Sequence, residues 1–402
     1  MKTITPRRVL TINRGSSSLK FAIFASGDRD GGAPRAMIAG KIDRVGLEGC
    51  SIQIVDPAAG TTEKERLDST VDPIAALIDH LKKQSLLDGI RFVGHRIVHG
   101  GARRSEPAWI DAALFAELRG LILLDPDHMP IELEAVAAIE RELAEIPQVA
   151  CFDTAFHANL PAVARMFPIP YELFDEGIVR YGFHGLSYEY ILGELERLDS
   201  AAAAGRVIVA HLGSGASMAA IRDRGCVDTT MAFTPTAGLM MGTRSGDLDP
   251  GVLIHLLEQK KLSSKELNDL VNKKSGLLGV SGISPDVADL LAIEAGDERA
   301  AHALNLFCHT ARKHLGALAA VLGGLDTLVF TAGIGERSPA IRARICTGLE
   351  FLGVELDPVA NERGAAIISK PSSKTTVRVV ATNEEIVVAR RTLELACEKD
   401  RE

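Results

Sequence analysis

The sequence predicts an α/β protein built from two duplicated domains. Short β-rich runs alternate along the chain with longer segments whose apolar residues have helical spacing. Two stretches, 9–23 and 207–221, share the order strand, Gly/Ser turn, strand, and each lies near the start of one half of the chain. The length of 402 residues is enough for two or three domains. These observations favour a duplicated domain with a cleft between the halves, with chance similarity of two Gly/Ser hairpins as the alternative.

The individual elements follow from the same patterns. The β-rich runs predict strands at 9–12, 92–94, 149–152, 207–210 and 328–330. Apolar spacing of three and four predicts helices at 73–86, 131–143, 187–198, 251–256, 298–322 and 384–397. We expect several of these helices to cover sheet faces and the domain boundary to lie just after residues 152–154.

Composition and charge exclude several classes of protein. With 46% hydrophobic and 24% charged residues, the chain is neither disordered nor of low complexity. Its 45 basic and 53 acidic residues give a net charge of −8, which argues against a protein that mainly coats nucleic acid or anionic membranes. No apolar segment of a secretion signal follows the charged residues at 1–8, and the apolar stretch 317–330 is too broken to span a bilayer. The six scattered cysteines lack a C-x-x-C pair, which favours reduced thiols and a cytoplasmic location.

Three glycine-containing turns predict phosphate binding. They lie at 15–18, 213–215 and 331–336; each follows a strand, and the third is expected to open a helix. Such turns expose backbone N–H groups and hydroxyls without side-chain bulk, which is what a polyphosphate requires. None is a Walker A motif, and one such turn alone is more often only a turn. Three of them, each after a strand, favour a phosphate ligand.

Two further segments have side chains suited to anion chemistry. The stretch 240–250 sets an arginine and two aspartates between glycines and cannot be regular helix, so it is either a functional loop or a surface turn with a solvated ion pair. In the strand-like stretch 93–101, Arg96 and Val98 share one face, an arrangement suited to a short carboxylate with an alkyl tail. His95 and His99 lie on the other face, where a structural role is expected and a zinc helix is not.

Four polar residues are candidates for the chemistry itself. Asp153 ends an apolar strand and His184 stands between glycines and aromatics, although each alone is more often structural. Asn13 and Glu384 carry oxygens beside a turn and a predicted helix start. They could hold Mg²⁺ directly or through water, with capping as the alternative.

Seven segments together resemble the acetate kinase family, in that family's order and over nearly the whole chain. The most specific is Met-Gly-Thr-Arg-Ser-Gly-Asp at 241–247, which is not a generic phosphate motif. The others are 13–21, 94–101, 152–157, 181–185, 211–217 and 382–385. The resemblance implies an actin-like architecture of two ribonuclease-H-like domains. The first domain would contain residues 1–153 and be completed by the C-terminal helix 384–402. The second, residues 154–383, would bind the nucleotide. The resemblance also implies ATP/ADP as co-substrate, Mg²⁺ or Mn²⁺, a short carboxylate as acceptor and a homodimer. The net charge and the broken apolar stretch lead us to expect no nucleic acid or membrane partner.

The resemblance also implies residue roles. Asp153 matches the catalytic acid, His184 and Arg244 the groups that stabilise the transition state, and Asn13 and Glu384 the magnesium positions. The positions that match substrate contacts are Arg96 for the carboxylate, and Val98, Phe183, Pro235 and His128 around the acyl group. The positions that match nucleotide contacts are Ser16, Ser18, Lys20, His211, Leu212, Gly213, Ser214, Gly215, Asp286, Val287, Ala288, Gly333, Ile334, Gly335, Glu336 and Arg337.

Four positions depart from the family pattern. Ser214, Ala288 and Arg337 stand where the family usually has Asn, Arg and Asn, and all three concern the nucleotide. Asp127 occupies a position usually held by an apolar pocket residue. A carboxylate beside a methyl pocket is costly unless it is paired, so either Asp127 turns outward, which we favour, or the acceptor is not simply acetate.

The residue set itself favours an acyl acceptor. A carboxylate is already a nucleophile, so the difficulty is to bring it against an anionic γ-phosphate, and arginines serve that purpose. A sugar kinase would depend more on a carboxylate base. We therefore expect an acetate kinase. The alternatives are a propionate or butyrate kinase of the same fold and, from another class, an actin-like or chaperone-like ATPase.

Overall fold

The structure is a computed structural model that describes residues 7–27 and 33–399. The expectation about a secretion signal concerns residues 1–8, and residues 1–6 of that stretch lie outside the described part. Two compact units divide the chain: unit 1 contains residues 1–155 and 383–402, and unit 2 contains residues 156–382. Each unit combines one sheet with helices, so the predicted α/β class is confirmed.

The described residues form thirteen strands. They are β1 (Arg8–Arg14), β2 (Ser18–Ala25), β3 (Arg35–Asp43), β4 (Ser51–Asp56), β5 (Thr61–Arg66), β6 (Ile90–Ile97), β7 (Ala108–Trp109), β8 (Gln148–Phe152), β9 (Val207–Leu212), β10 (Ala216–Arg222), β11 (Gly225–Thr229), β12 (Thr327–Thr331) and β13 (Thr376–Val379).

The described residues also form sixteen α-helices. They are α1 (Pro73–Lys83), α2 (Ala112–Gly120), α3 (Met129–Glu142), α4 (Ala162–Arg165), α5 (Tyr171–Asp175), α6 (Gly185–Leu198), α7 (Ser200–Ala204), α8 (Pro250–Glu258), α9 (Ser264–Lys273), α10 (Gly276–Ser281), α11 (Val287–Ile293), α12 (Glu298–Leu322), α13 (Ala332–Arg337), α14 (Pro339–Cys346), α15 (Pro358–Glu362) and α16 (Glu384–Lys399).

The two sheets repeat one strand order. In unit 1 the order is β5-β4-β3-β2-β1-β6-β8-β7, and in unit 2 it is β11-β10-β9-β12-β13. In both, the first two strands form an antiparallel hairpin, and the first strand then pairs in parallel with a later one, β1 with β6 and β9 with β12. A further parallel strand follows, β8 in unit 1 and β13 in unit 2. The duplication predicted from the two hairpins is therefore confirmed.

Helices cover the faces of the unit 1 sheet, as the apolar spacing predicts. On α1, Asp72 caps the first turn and the buried residues Ile74, Leu77, Ile78 and Leu81 pack with those of β1, β2 and α3. The C-terminal helix α16 packs on the other face. A Cβ at Gly94 of β6 would lie 2.4 Å from Thr392 Oγ1, so only glycine permits this close approach.

The long helix α12 follows its predicted bounds at both ends. Asp297 caps its first turn and Gly323, with a φ of 73°, ends it in the left-handed conformation. The third glycine turn opens a helix directly after a strand, as expected. Helix α13 begins at Ala332, immediately after β12, and contains Gly333 and Gly335. In the described part of the chain, no helix is both long and apolar enough to cross a membrane.

Candidate active site

In unit 1, three parallel strands end at the same edge of the sheet and bring predicted residues together. Ile12 of β1 pairs with His95 of β6, and Ile97 of β6 pairs with Phe152 of β8. Parallel strands place functional groups beyond their carboxyl ends. Asn13 directly follows Ile12 in β1, and Asp153 directly follows Phe152 at the end of β8. Arg96 is the penultimate residue of β6.

Arg96 is surrounded by carboxylates. Its Nη2 donates to Asp153 Oδ2 at 2.5 Å and its Nη1 to Glu132 Oε1 at 3.0 Å, while Glu384 Oε2 lies 3.9 Å from Nε. Burial lowers the pKa of this guanidinium, but the carboxylates outweigh burial and raise it above its ordinary value. Arg96 is thus a fixed, permanently charged group in unit 1.

Glu132 is a residue of this cluster that was not predicted. It lies on α3 with a side chain only 1% exposed, and its Oε2 accepts the Val98 N–H at 2.8 Å. Burial raises its pKa, while the Arg96 guanidinium opposes that rise. The sequence carries a signal for it, because Glu132 falls on the apolar stripe formed by Met129, Leu133 and Val136. A charged residue on a buried helix face requires a partner.

Asn13 and Glu384 meet at the start of α16. The Asn13 amide donates from Nδ2 to Glu384 Oε2 at 3.1 Å, so the side-chain amide and the carboxylate adjoin. Glu385 is partly buried next to them; burial raises its pKa, and the nearby Lys20 ammonium lowers it. Mg²⁺ is usually held by one or two carboxylates together with substrate phosphates. This donor pair fits that pattern, although the described residues contain no group of three His, Cys, Asp or Glu that could hold a metal alone.

The first phosphate turn is closed by its own backbone. The Gly15 N–H donates to the Ser18 carbonyl at 2.8 Å, and Arg14 Nη1 donates to the same carbonyl at 2.9 Å. Ser16 is exposed, and Ser18 is partly buried. Lys20 lies opposite Asn13 in the β1–β2 register. Lys20 is thus placed beside Asn13 across the hairpin, and the serines lie at the turn that joins the two strands.

The start of α3 places His128 next to a buried carboxylate. His128 is the residue immediately before the helix, and both its backbone N–H and its Nδ1 lie within hydrogen-bond distance of Asp125 Oδ1, at 3.0 and 2.8 Å. Asp127, the departure from the family pattern, is half-buried. Val98 is buried in unit 1, whereas Phe183 and Pro235 are buried in unit 2.

In unit 2, the predicted residues converge on the turn 213–215. A Cβ at Gly215 would lie 3.3 Å from His184 Nε2 and 3.6 Å from Arg244 Nη1. A Cβ at Gly213 would lie 3.7 Å from the Cβ of Ala332, where α13 begins. The Gly213 N–H donates to the Gly215 carbonyl at 3.0 Å and closes the turn. The two glycines therefore leave space next to a cation and an imidazole.

His184 is held in an uncommon backbone conformation. It is the residue immediately before α6 and has φ 60°, in the left-handed region that residues other than glycine rarely adopt. Its Nδ1 lies 2.8 Å from Ser217 Oγ, and its ring stacks on that of His211 with centroids 4.1 Å apart. Such a strained residue persists because surrounding contacts fix it, and strain of this kind clusters at functional sites.

Arg244 belongs to an irregular loop, as predicted, and its guanidinium donates to the Pro235 carbonyl at 3.0 Å. The N–H of Gly242 donates to the Ser214 carbonyl at 3.3 Å, which connects this loop to the phosphate turn. Helix α10 holds the loop from behind, because the Leu277 N–H donates to Met241 O at 2.9 Å. The side chain of Arg244 is therefore placed by backbone contacts on two sides.

The remaining nucleotide positions lie on two short helices. Asp286 caps α11, whose first residues are Val287 and Ala288. A Cβ at Gly242 would lie 3.2 Å from the Pro285 carbonyl, so this segment adjoins the Arg244 loop. On α13, which contains Gly333, Ile334, Gly335 and Glu336, the Arg337 side chain folds back so that its Nε donates to Gly333 O at 3.2 Å.

His95 and His99 have the surroundings of structural residues. His95 is buried with Nε2 at 2.8 Å from Gln148 Oε1, and Nδ1 of His99 accepts the Gly101 N–H at 2.8 Å. Burial lowers the pKa of each to about 4. Both imidazoles are therefore neutral near pH 7, in keeping with the structural role expected for them.

Comparison with known proteins identifies close relatives of the whole chain. The sequence model of the acetokinase family matches residues 8–390. The chain is 44% identical over 394 residues to the acetate kinase of Rhodopseudomonas palustris, which covers 96% of this chain and 98% of the relative.

Solved structures give the same result. The crystal structure of Porphyromonas gingivalis acetate kinase matches with a TM-score of 0.84 and 38% identity, over 97% of this chain and all of that one (100%). A propionate kinase from Francisella tularensis matches with a TM-score of 0.88 and 33% identity, over 96% and 99% of the two chains.

Proposed function

The chain belongs to the acetokinase family, whose duplicated actin-like fold it shares, and from this premise we propose that it is a Mg²⁺-dependent acetate kinase. The reaction is the reversible transfer of the γ-phosphoryl group of ATP to a carboxylate oxygen of acetate, which gives acetyl phosphate and ADP. One observation carries the assignment within the chain itself. Arg244 and His184 converge on the glycine turn 213–215, which is an arrangement suited to a phosphoryl group.

Positive charge performs most of the catalysis in this proposal. The acceptor is already an anion, so the barrier comes from bringing it against the charged γ-phosphate. Arg96 would bind the acetate carboxylate. Arg244 and His184 would donate hydrogen bonds to the oxygens of the transferred phosphoryl group. The attacking acetate oxygen and the leaving ADP oxygen would lie in line on opposite sides of the phosphorus.

Asp153 would act through Arg96 and not as a base. Its Oδ2 lies 2.5 Å from Arg96 Nη2, which fixes the orientation of the guanidinium. A carboxylate acceptor has no proton to remove, so the reaction requires an orienting group at this position.

Asn13 and Glu384 would hold Mg²⁺ together with the phosphates of ATP, and the described donor pair fits a hard cation. Mn²⁺, which prefers the same oxygen ligands, would be an alternative. When bound, the ion supplies charge neutralisation for the polyphosphate. Ser16, Ser18 and Lys20 lie on the same β1–β2 hairpin as Asn13, and Lys20 pairs with Asn13 in its register.

The acyl group would contact Val98, Phe183, Pro235 and His128, with acetate as the preferred chain length. Propionate or butyrate is the alternative, and it has a specific basis, since one of the similar structures is a propionate kinase. For the nucleotide, His211 and Gly213 to Gly215 would contact the phosphates, and α11 and α13 the adenosine side.

We also propose a homodimer, supported by helix α8. This helix has no buried residue, yet its sequence is strongly apolar, and Val252, Ile254 and Leu257 are all exposed. Several exposed apolar residues on one helix mark an interaction surface. A second copy of the chain is the partner that family membership favours.

The test is the formation of acyl phosphate, trapped with hydroxylamine, from Mg·ATP and acetate, propionate or butyrate. We expect acetate to give the strongest signal, and Arg244→Ala to lower the rate about 100-fold or more, since a group that acts on the developing charge is lost. Arg363→Ala, an exposed arginine on the same unit, is the matched control and should retain the activity. Absence of hydroxamate with all three acids would overturn the proposal, and a preference for a longer acid would reassign the substrate.

A further inference from the structure

Resting on the proposed function, in which His184 contacts the transferred phosphoryl group, we propose that Tyr188 and Ser217 form a hydroxyl relay that fixes the proton and the ring of His184. In this relay Tyr188 donates to Ser217, and Ser217 donates to His184 Nδ1, which leaves the imidazole neutral with its proton on Nε2. Tyr188 and Ser217 are positioning residues, because they act through His184.

The geometry of the relay is complete within unit 2. Tyr188 lies one turn after His184 on α6, and its hydroxyl is 2.5 Å from Ser217 Oγ. The same oxygen is 2.8 Å from His184 Nδ1. Tyr188 and Ser217 are both fully buried, at 0% exposure, so water does not compete for these hydrogen bonds.

The order of the protons follows from hydrogen-bond capacity. A serine hydroxyl has one proton and can accept from a second group. The phenol is the more acidic of the two hydroxyls, with an ordinary pKa near 10, so it is the better donor and Ser217 accepts from it. The single proton of Ser217 is then directed to His184. A neutral imidazole that accepts at Nδ1 carries its own proton on Nε2.

That proton lies where the reaction needs a donor. A Cβ built on Gly215 would lie 3.3 Å from His184 Nε2 and 3.6 Å from Arg244 Nη1. An N–H group already fixed at the phosphate turn requires neither a protonation step nor a ring flip when charge develops on the phosphoryl oxygens. The relay would thus contribute preorganisation, which raises kcat more than it changes substrate binding.

The neighbouring imidazole is arranged in the same way. His211 stacks on His184, its Nδ1 lies 2.8 Å from Ser187 Oγ, and Ser187 lies 2.8 Å from Thr382 Oγ1. Two stacked rings thus each have a serine hydroxyl at Nδ1. Ser217 lies at Nδ1 of His184, whereas Ser187 lies at Nδ1 of His211. His211 therefore serves as an internal control for substitutions of Ser217.

The kinetic test compares Ser217→Ala and Tyr188→Phe with Tyr190→Phe, a tyrosine on the same helix that is only partly buried. We expect Ser217→Ala to lower kcat about 10- to 100-fold and to leave KM for ATP and acetate within about 2-fold. Tyr188→Phe should lower kcat to a smaller extent, and Tyr190→Phe should leave it unchanged. Because Tyr188 acts only through Ser217, the double variant should be no slower than Ser217→Ala. Independent, additive losses would overturn the relay.

The direct test is ¹⁵N NMR of histidine-labelled, ligand-free protein at pH 8, with His184→Gln used to assign the resonances. We expect His184 Nδ1 to resonate as an unprotonated acceptor in the wild type and to shift in Ser217→Ala, while His211 keeps its resonances. A protonated Nδ1 in the wild type would contradict the proposal. This measurement needs no turnover, so its result is independent of the acyl phosphate assay. The relay can be refuted while the proposed function is supported, and the reverse is equally possible.

Discussion

At the scale of single residues, buried groups whose ionisation differs between the folded and unfolded states make stability depend on pH. His157 is buried in unit 2, with Nε2 3.0 Å from the Phe183 carbonyl, and burial lowers its pKa to about 4. The unfolded chain binds a proton at this position below its ordinary pKa of about 6.5, and the folded chain does not. The contribution of His157 to the free energy of unfolding is therefore fully present above pH 6.5, and it is lost as the pH falls towards 4.

We predict that His157→Gln flattens this dependence. By proton linkage, His157 should account for about 2 kcal/mol of the decrease in unfolding free energy between pH 7.5 and pH 5, and that part should vanish in the variant. Urea denaturation at the two pH values measures it. His302→Gln, at an exposed histidine, should show the wild-type decrease, and an unchanged decrease in His157→Gln would contradict the assignment.

The residues of the site differ in how far the sequence reveals them. Arg96 and Arg244 are predicted because arginines stand out in glycine-rich motifs, and Glu132 is detectable as a charge on an apolar helix stripe. The convergence of His184 and Arg244 on Gly215 is different. These three residues come from three separate segments, and only the folded backbone brings them within contact. The relay from Tyr188 is hidden for the same reason, since a buried tyrosine on a helix usually indicates packing alone.

At the scale of elements, prediction succeeds where the chain carries local signals. Helix α12 has an aspartate cap and a glycine at its end, and its bounds follow from them. Strand β5 was not predicted, because all six of its residues are exposed and polar and so show no apolar alternation. Helix α10 was also missed, and its function is to hold the Arg244 loop, which depends on contacts distant in sequence.

We predict that Gly276→Ala at the start of α10 disrupts the Arg244 loop. Gly276 has φ +63°, and a Cβ there would lie 2.2 Å from Met241 O and 2.8 Å from Arg244 O. The left-handed conformation and the clash together should cost at least about 2 kcal/mol of unfolding free energy and lower kcat about 10-fold or more. Urea denaturation and the acyl phosphate assay measure the two effects.

The matched control is Gly316→Ala inside α12, where a Cβ would meet nothing within 4 Å. Alanine lowers the entropy of the unfolded chain and favours helix, so this variant should gain about 0.5–1 kcal/mol and keep full activity. Equal behaviour of the two variants would show that backbone conformation at Gly276 does not control the loop.

At the scale of the whole molecule, the exposed apolar residues of α8 predict self-association. The wild type should have twice the chain mass of 42.9 kDa by light scattering. Ile254→Glu should weaken the dimer about 100-fold or more, because an unpaired carboxylate in an apolar interface costs several kcal/mol. Val359→Glu, at an exposed position on α15, is the control that should remain dimeric. A monomeric wild type would contradict the proposal that α8 forms a dimer interface.

The duplication is the whole-molecule property that the sequence predicts best, because two hairpins of the same order lie near the starts of the two halves. The matching strand order of the two sheets extends this likeness well beyond the hairpins. Pairings such as β1 with β6 join residues about eighty positions apart, and no local pattern encodes them.

The central claim is that the γ-phosphoryl group of ATP is transferred to a carboxylate, and ³¹P NMR of the wild-type protein with Mg·ATP and acetate tests it most directly. The account predicts that an acetyl phosphate resonance appears as γ-phosphate is lost, with ADP formed in equal amount, and that no turnover occurs when acetate is omitted. Release of inorganic phosphate alone, at a rate independent of acetate, would contradict it and would favour an actin-like ATPase.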